Sequence, residues 1–520
     1  MTDSLRLCIT LVVVVSGVIL PFYWRRKSWR YCFPPGPRRL PLIGNLLDLP
    51  IAQQWLTYAK WGSLYGDMTG IVVLGQPIVI INSFQVALDL LDKRSLLYSD
   101  RPAFSLIQTW GGWDWMLTVM QYDEECKMQR RILAQHLNQR SICEYQDCLH
   151  EASISFARRL LQKPEKFQDH TRLFAGANIM MITYGHEVRD EEDEWVKLAE
   201  AAVRSLDVLT NVGAHPIDLF PVLRHLPRFV FGQTFARQMD NMRHLAKQLI
   251  TRPYLAVKRE IEDGIARSSM ASRLIDAPGS TSALFRGANS DSIIQGTLAG
   301  AYVAGADTIV STLDSAILAL MLHPEIQREA QRELDFVLMG ERLPVFGDRE
   351  KLPFIDAIFR ETLRWNPVAP LAVPHRLIQR DVYDNMIFPA GTTFVANSWQ
   401  MLHDESVFQE PFAFNPHRFL DANGRLRSDV ADPRRIAYGF GRRICPGRHL
   451  AEQSAWIAIA MLLSTFELSM PFDEHGNPVQ PDLTYVSSLI SHPNPFRCVF
   501  TPRHKIAHLI PGREDWVGAK

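Results

Sequence analysis

The sequence predicts a mainly α-helical protein with a minor β part, one large domain behind an N-terminal transmembrane helix. Three observations lead there. Long stretches place apolar residues three and four apart, the spacing that gives a helix one buried face. Runs of β-branched residues are few and short. The chain also opens with an uncharged apolar segment, Leu7–Trp24, 18 residues long, which is enough to cross a bilayer core.

Composition narrows the class. A chain of 520 residues could hold about three domains, yet no repeat, low-complexity tract or second linker interrupts residues 51–520, which read as a single catalytic domain. Hydrophobic residues make up 47% and charged residues 22%, ordinary globular proportions that exclude a disordered or fibrous chain. Lys and Arg together number 56, as do Asp and Glu, for a formal net charge of zero. Such a balance offers no global field to hold nucleic acid, which is excluded as a partner. The cysteines, at Cys8, Cys32, Cys126, Cys143, Cys148, Cys445 and Cys498, are odd in number and irregularly spaced. They form neither a disulfide framework nor a zinc knuckle, so the body belongs in a reducing compartment.

Taken in chain order, residues 1–30 read as the anchor. Arg25, Arg26, Lys27 and Arg30 follow the apolar run, against only Arg6 and Asp3 before it. The positive-inside rule puts all that follows Arg25 in the cytosol. Tyr23-Trp24-Arg25 is a poor signal-peptidase site, so the anchor is expected to stay attached as a single pass. Residues 31–50 contain Pro34-Pro35-Gly36-Pro37 and Pro41. Proline lacks an N–H and fixes φ, so this segment cannot continue the helix and reads as a stiff hinge or a generic linker. Short strands are expected near Gly70–Leu74 and Ile78–Ile81, around Arg380–Phe394, and between Pro481 and Thr501. Helices are expected at Leu149–Leu161, Asp193–Leu209, Phe235–Ile250 and Ser315–Leu338, the longest running from Asp291 to Leu322. Trp110, Trp113 and Trp115, with two methionines nearby, supply either core or an apolar wall for a hydrophobic ligand.

The chemistry concentrates in Tyr438-Gly439-Phe440-Gly441-Arg442-Arg443-Ile444-Cys445-Pro446-Gly447. Its glycines let the backbone turn tightly and approach a flat ligand. Cys445 ends the loop just before a helical pattern, where the positive helix terminus lowers a thiol's pKa. Arg443, two residues earlier, can neutralise a carboxylate. Together these describe an axial thiolate on haem iron, with an arginine meeting a propionate.

This loop resembles the haem-binding loop of the cytochrome P450 family, F-x-x-G-x-R-x-C-x-G, with Tyr438 in place of the usual phenylalanine and Gly441, Arg443, Cys445 and Gly447 matching. The resemblance runs from the anchor to the C-terminus and is nearest in style to microsomal fungal enzymes of secondary metabolism. It implies the cytochrome P450 fold and a haem b held by the Cys445 thiolate. Within the long helix, Ala304-Gly305-Ala306-Asp307-Thr308 matches the A-G-x-D-T oxygen-activation motif. By that resemblance Thr308 hydrogen-bonds bound dioxygen and Asp307 helps deliver protons. Glu361-Thr362-Leu363-Arg364 and Pro416-His417-Arg418-Phe419 match E-x-x-R and P-x-R-F, which implies a structural ionic triad of Glu361, Arg364 and Arg418. His375 and Arg130 fall where relatives present propionate donors, although Cys126 stands where tryptophan is usual.

The implied activity is insertion of oxygen into a lipophilic small molecule, of terpenoid or polyketide type. Dioxygen and NADPH electrons would arrive through a membrane-bound NADPH–haemoprotein reductase at the endoplasmic reticulum, with cytochrome b5 as a candidate second donor. Basic residues near the cysteine, Arg434, Arg435, Arg442, Arg448, Lys127 and Arg131, are either a docking patch or solvated surface. Two other readings are a haem-thiolate isomerase or dehydratase and a non-catalytic membrane carrier of haem or lipid. Neither has use for the Asp307-Thr308 pair.

Overall fold

The apolar periodicity of the sequence is realised as helix. The computed structural model describes residues 32–190, 192–206, 228–276, 290–503 and 509–510. Ten helices of twelve or more residues run through them: α1 Gln54–Tyr65, α2 Glu124–His136, α3 Gln146–Gln162, α4 Phe167–Tyr184, α5 Glu194–Ser205, α6 Gln233–Glu262, α7 Ser290–Leu322, α8 Pro324–Leu338, α9 Pro353–Trp365 and α10 Arg448–Thr465. The anchor expected over residues 1–30 lies outside the described residues.

The strands are β1 Met68–Val73, β2 Gln76–Ile81, β3 His375–Arg376, β4 Asp381–Tyr383, β5 Met386–Phe388, β6 Thr393–Ala396, β7 Phe466–Ser469 and β8 Val499–Pro502. Four of them form one sheet in the order β1-β2-β6-β3. β1 and β2 are antiparallel, with Met68 opposite Ile81, and β2 runs parallel to β6, with Ile78 opposite Thr393. β3 closes the sheet and sets His375 opposite Phe394. Residues 33–45 lie along the outer strand: Asn45 donates its N–H to Val72 at 2.7 Å and its side-chain oxygen accepts from the Val72 N–H at 3.0 Å. The proline-rich segment is thereby fastened to β1.

α7 is the central helix, and α4 packs along it more extensively than any other element. It is long and apolar enough to cross a membrane by length and composition, but most of its apolar window is buried inside the protein, as befits a core helix. The core around it includes Trp110, Trp113 and Trp115, all buried, with the last two rings stacked at 5.1 Å.

Two sequence expectations change. The helix expected over Ser315–Leu338 is two helices, because Pro324 cannot donate to the preceding turn and forces His323 out of helical geometry, at φ −122° and ψ 70°. Between Pro481 and Thr501 only a Tyr485–Pro493 bridge and the start of β8 pair. Pro481, Pro493 and Pro495 remove the N–H groups that a continuous ladder needs.

Candidate active site

The cysteine loop is closed by its own backbone. Cys445 donates its N–H to the carbonyl of Tyr438 at 2.8 Å, and Arg443 to that of Phe440 at 3.1 Å. Gly441 sits at φ 53°, and a Cβ there would lie 2.2 Å from the carbonyl oxygen of Leu91, so only glycine fits. A Cβ on Gly447 would meet nothing within 4 Å, leaving that side of the loop open to a flat guest. Burial pushes the Cys445 thiol up, while the Gly447 N–H and the Arg130 and Arg448 guanidiniums act the other way. The helix-terminus effect expected from the sequence is present, but burial outweighs it. Coordination to a metal is what would deprotonate this thiol outright.

Beside the loop lies a cluster of nitrogen donors, arginines and one histidine, held by backbone carbonyls. Arg443 donates to Ser99, Leu117 and Met120 at 2.7, 3.1 and 2.7 Å. Arg130 donates to the carbonyl of Ile444 at 2.9 Å. His375 is buried, and its Nδ1 donates to the carbonyl of Tyr98 at 2.7 Å. That bond fixes the tautomer and makes Nε2 the ring's other polar atom. Sequence reasoning missed a fourth member, Arg101, whose guanidinium donates to Thr118, Val373 and Pro374 at 3.0, 2.7 and 2.8 Å. Burial, then repulsion from Arg443 and Arg130, holds the Arg101 pKa well below its ordinary value. The nearby Asp100 is occupied by Arg376 and by the Tyr122 N–H. Three guanidiniums thus share a small volume without matching carboxylates, a setting that favours a ligand carrying two of them. Buried Cys126 lies among these cations, feeling Arg443, Arg130 and Arg101.

α7 is buried over Ala301–Val303 and Ile309–Met321, and the stretch Ala304–Thr308 between them is accessible. Thr308 Oγ1 donates back to the carbonyl of Ala304 at 2.7 Å, a bond that competes with regular helix geometry and loosens the turn. A Cβ on Gly305 would come within 3.0 Å of Ile179, so glycine lets α4 close against α7 here. Asp307 pairs through Oδ1 with His492 Nε2 at 3.2 Å.

The ionic residues behind the loop also meet. Arg364 grips Glu361 with two bonds of 2.8 Å, and neither side chain has any solvent exposure. Its remaining donors reach the carbonyls of Leu402, Pro411 and Ala413. Arg418 Nε adds bonds of 3.2 and 3.1 Å to the same carboxylate, and the Asn415 N–H another of 2.8 Å. Of the six basic residues noted in the sequence, Arg434 is engaged by Asp432 and Glu452 and Lys127 by Glu124, while Arg131, Arg435 and Arg442 are exposed.

A glycine-framed cysteine, a cationic cluster suited to two carboxylates and a helix opened by small residues define a haem-thiolate oxygenase. The chain belongs to the cytochrome P450 family, whose family model matches residues 34–500. It is 38% identical to a cytochrome P450 monooxygenase of Armillaria gallica over 97% of this chain and 99% of that one. Identity is 38% to the cytochrome P450 monooxygenase COX1 of Coprinopsis cinerea, covering 91% of each chain. It is 37% to the cytochrome P450 monooxygenase ple1 of Rhodocybe pseudopiperita, covering 96% and 95%. The protein is a haem-thiolate monooxygenase that uses dioxygen and electrons supplied by a reductase.

Proposed function

We propose that the protein is anchored in the endoplasmic reticulum membrane and oxidises a lipophilic small molecule of terpenoid or polyketide type in secondary metabolism, with electrons from an NADPH–haemoprotein reductase. The observation that carries this reading is the opening of α7 at Ala304–Thr308, with the Thr308 hydroxyl bonded to Ala304. An isomerase or a carrier has no need of an acid and an alcohol at an accessible stretch flanked by buried turns of its central helix.

In this reading Cys445 would hold the haem iron, and Arg101, Arg130, Arg443 and His375, each oriented by a backbone carbonyl, would hold its carboxylates. The haem, once bound, would supply oxygen activation, with the Cys445 thiolate as its electron-donating ligand. The chain's own work is orientation, dryness and proton handling. Thr308 exchanges its bond to Ala304 for one to the bound guest, and Asp307 passes protons toward that hydroxyl. Glu361, Arg364 and Arg418 hold the cysteine loop's support in place.

The test is to express the full chain with a fungal NADPH–haemoprotein reductase in microsomes and screen terpenoid and polyketide scaffolds. A ligand that shifts the Soret band should yield an NADPH-dependent product gaining one oxygen atom. Turnover that proceeds without reductase, or a product with no added oxygen, would overturn the proposal.

A further inference from the structure

α7 carries a polar stripe that its apolar character does not require. Asp307, Ser311, Asp314 and Ser315 are spaced four, seven and eight apart, which places them on one face of a helix. The segment 485–493 docks on that face. Ser311 Oγ donates to the carbonyl of Ser491 at 2.6 Å, and Tyr485 donates to Ser315 Oγ at 3.1 Å. The segment is pinned from its other side by the Ser491 N–H, which donates to the carbonyl of Val368 at 2.8 Å. These bonds present His492 to the stripe, with Nε2 on Asp307 at 3.2 Å.

The other ring nitrogen gives the second observation. His492 Nδ1 is buried and has no hydrogen-bond partner among the described residues, and the same holds for Asp314 Oδ1. Asp314 lies within electrostatic reach of His492, Asp307 and Arg172 of α4. On α4, Asn178 leaves both amide atoms buried and unpartnered, one residue from the Ile179 that packs against Gly305. Buried polar atoms without protein partners mark the places where ordered water runs.

We infer that His492 is a positioning residue that supplies protons to Asp307, drawing them from solvent through water beside Asp314. This rests on the relay reading of Asp307 given above. Each step moves one proton and no electrons. Water delivers a proton to Nδ1 of a ring that carries its own hydrogen on Nε2, and the Nε2–H then passes its proton to the Asp307 carboxylate, leaving the ring neutral with its hydrogen on Nδ1. Burial, opposed by His492 and Arg172, pushes the Asp314 carboxyl up to about 7. A group poised there can take up and release protons near neutrality. The charges facing the imidazole are therefore Asp307 and Asp314 from α7, with Arg172 behind Asp314 from α4.

The test uses the full chain with reductase and no added substrate, comparing wild type with His492→Gln, His492→Arg and Asp307→Asn. Dioxygen consumes two NADPH when both its oxygens leave as water and one when it leaves as peroxide. Wild type should release more peroxide as pH rises through about 7, as the buried Asp314 carboxyl beside the water path gives up its proton. His492→Gln should lose that pH dependence and release about two- to fivefold more peroxide at the low end. His492→Arg should keep the charge pair but not the pH profile. A profile fully restored by arginine would reduce the role to fixed charge and overturn proton supply. If Asp307→Asn departs from wild type and His492→Gln does not, this inference fails while the relay stands. If neither departs, both fail. Independently of turnover, thermal unfolding of the two single variants and His492→Gln/Asp307→Asn should be non-additive; additive shifts would mean the pair does not form.

Discussion

Arg101 carries its charge to a place where it is 4% exposed, and three carbonyls from two distant segments receive it. Hydrogen bonds to charged groups contribute about 1.5–3 kcal/mol each. Arg101→Met should therefore speed haem transfer to apomyoglobin on the order of tenfold or more, while haem loss at the wild-type rate would remove Arg101 from the ligand's surroundings. Cys445→Ala should abolish the red-shifted carbon monoxide band of the dithionite-reduced protein, and an unchanged band would mean that another residue ligates the iron. Asp314 makes a pH prediction. Its carboxyl keeps its proton to about 7 in the fold but loses it near about 4 when unfolded. The native state therefore binds more protons across that interval, so stability falls as pH rises through it and levels off above. Asp314→Asn should lose that slope, measured as melting temperature against pH. The Cys445 loop and the Ala304–Thr308 stretch could be singled out in the sequence because the chemistry proposed for them demands residue types at fixed short spacing. Arg101 could not, since its role is set by carbonyls at 118, 373 and 374. The pairing of Asp307 with His492 likewise spans chain segments that no local pattern joins.

Elements show the same division between local and remote causes. Apolar spacing located α3 and α7 to within a few residues, α3 by the one face it turns inward and α7 by an apolar character that leaves Ile309–Met321 buried on every side. It carried the reading straight through His323 and Pro324, where the apolar spacing continues but the backbone cannot. The Glu361–Arg364 spacing announced a helical pair. What the spacing could not show is that Arg364 also binds the carbonyls of Leu402, Pro411 and Ala413, tying α9 to an irregular segment. Removing one member of a buried charge group strands the others, at about 3–5 kcal/mol. Arg364→Ala should lower denaturant stability by that order or prevent haem incorporation, and a loss under about 1 kcal/mol would mean the network is not buried in solution. Gly441→Ala should also fail to incorporate haem, because its methyl group would strike the Leu91 carbonyl.

For the molecule as a whole, composition and the absence of a second linker after residue 50 lead to the expectation of one catalytic body, and the family model matches residues 34–500. Deleting residues 1–30 should leave the reduced carbon monoxide spectrum intact and move the protein from the membrane toward the soluble fraction. Loss of haem binding on that deletion would mean the segment contributes to the body's core. The order in which the chain is made gives the Glu361 network a further consequence. Arg418 and the carbonyl at Ala413 are synthesised some fifty residues after Glu361 and Arg364, and Cys445 later still. Until the ribosome has released them, a nascent chain must keep α9 hydrated, because docking it early would bury two charges without their partners. The half of the protein that carries Cys445 therefore closes only after the segment through Arg418 has emerged, so a chain terminated before Arg418 should be met by chaperones and proteolysis rather than persist as a partly working enzyme.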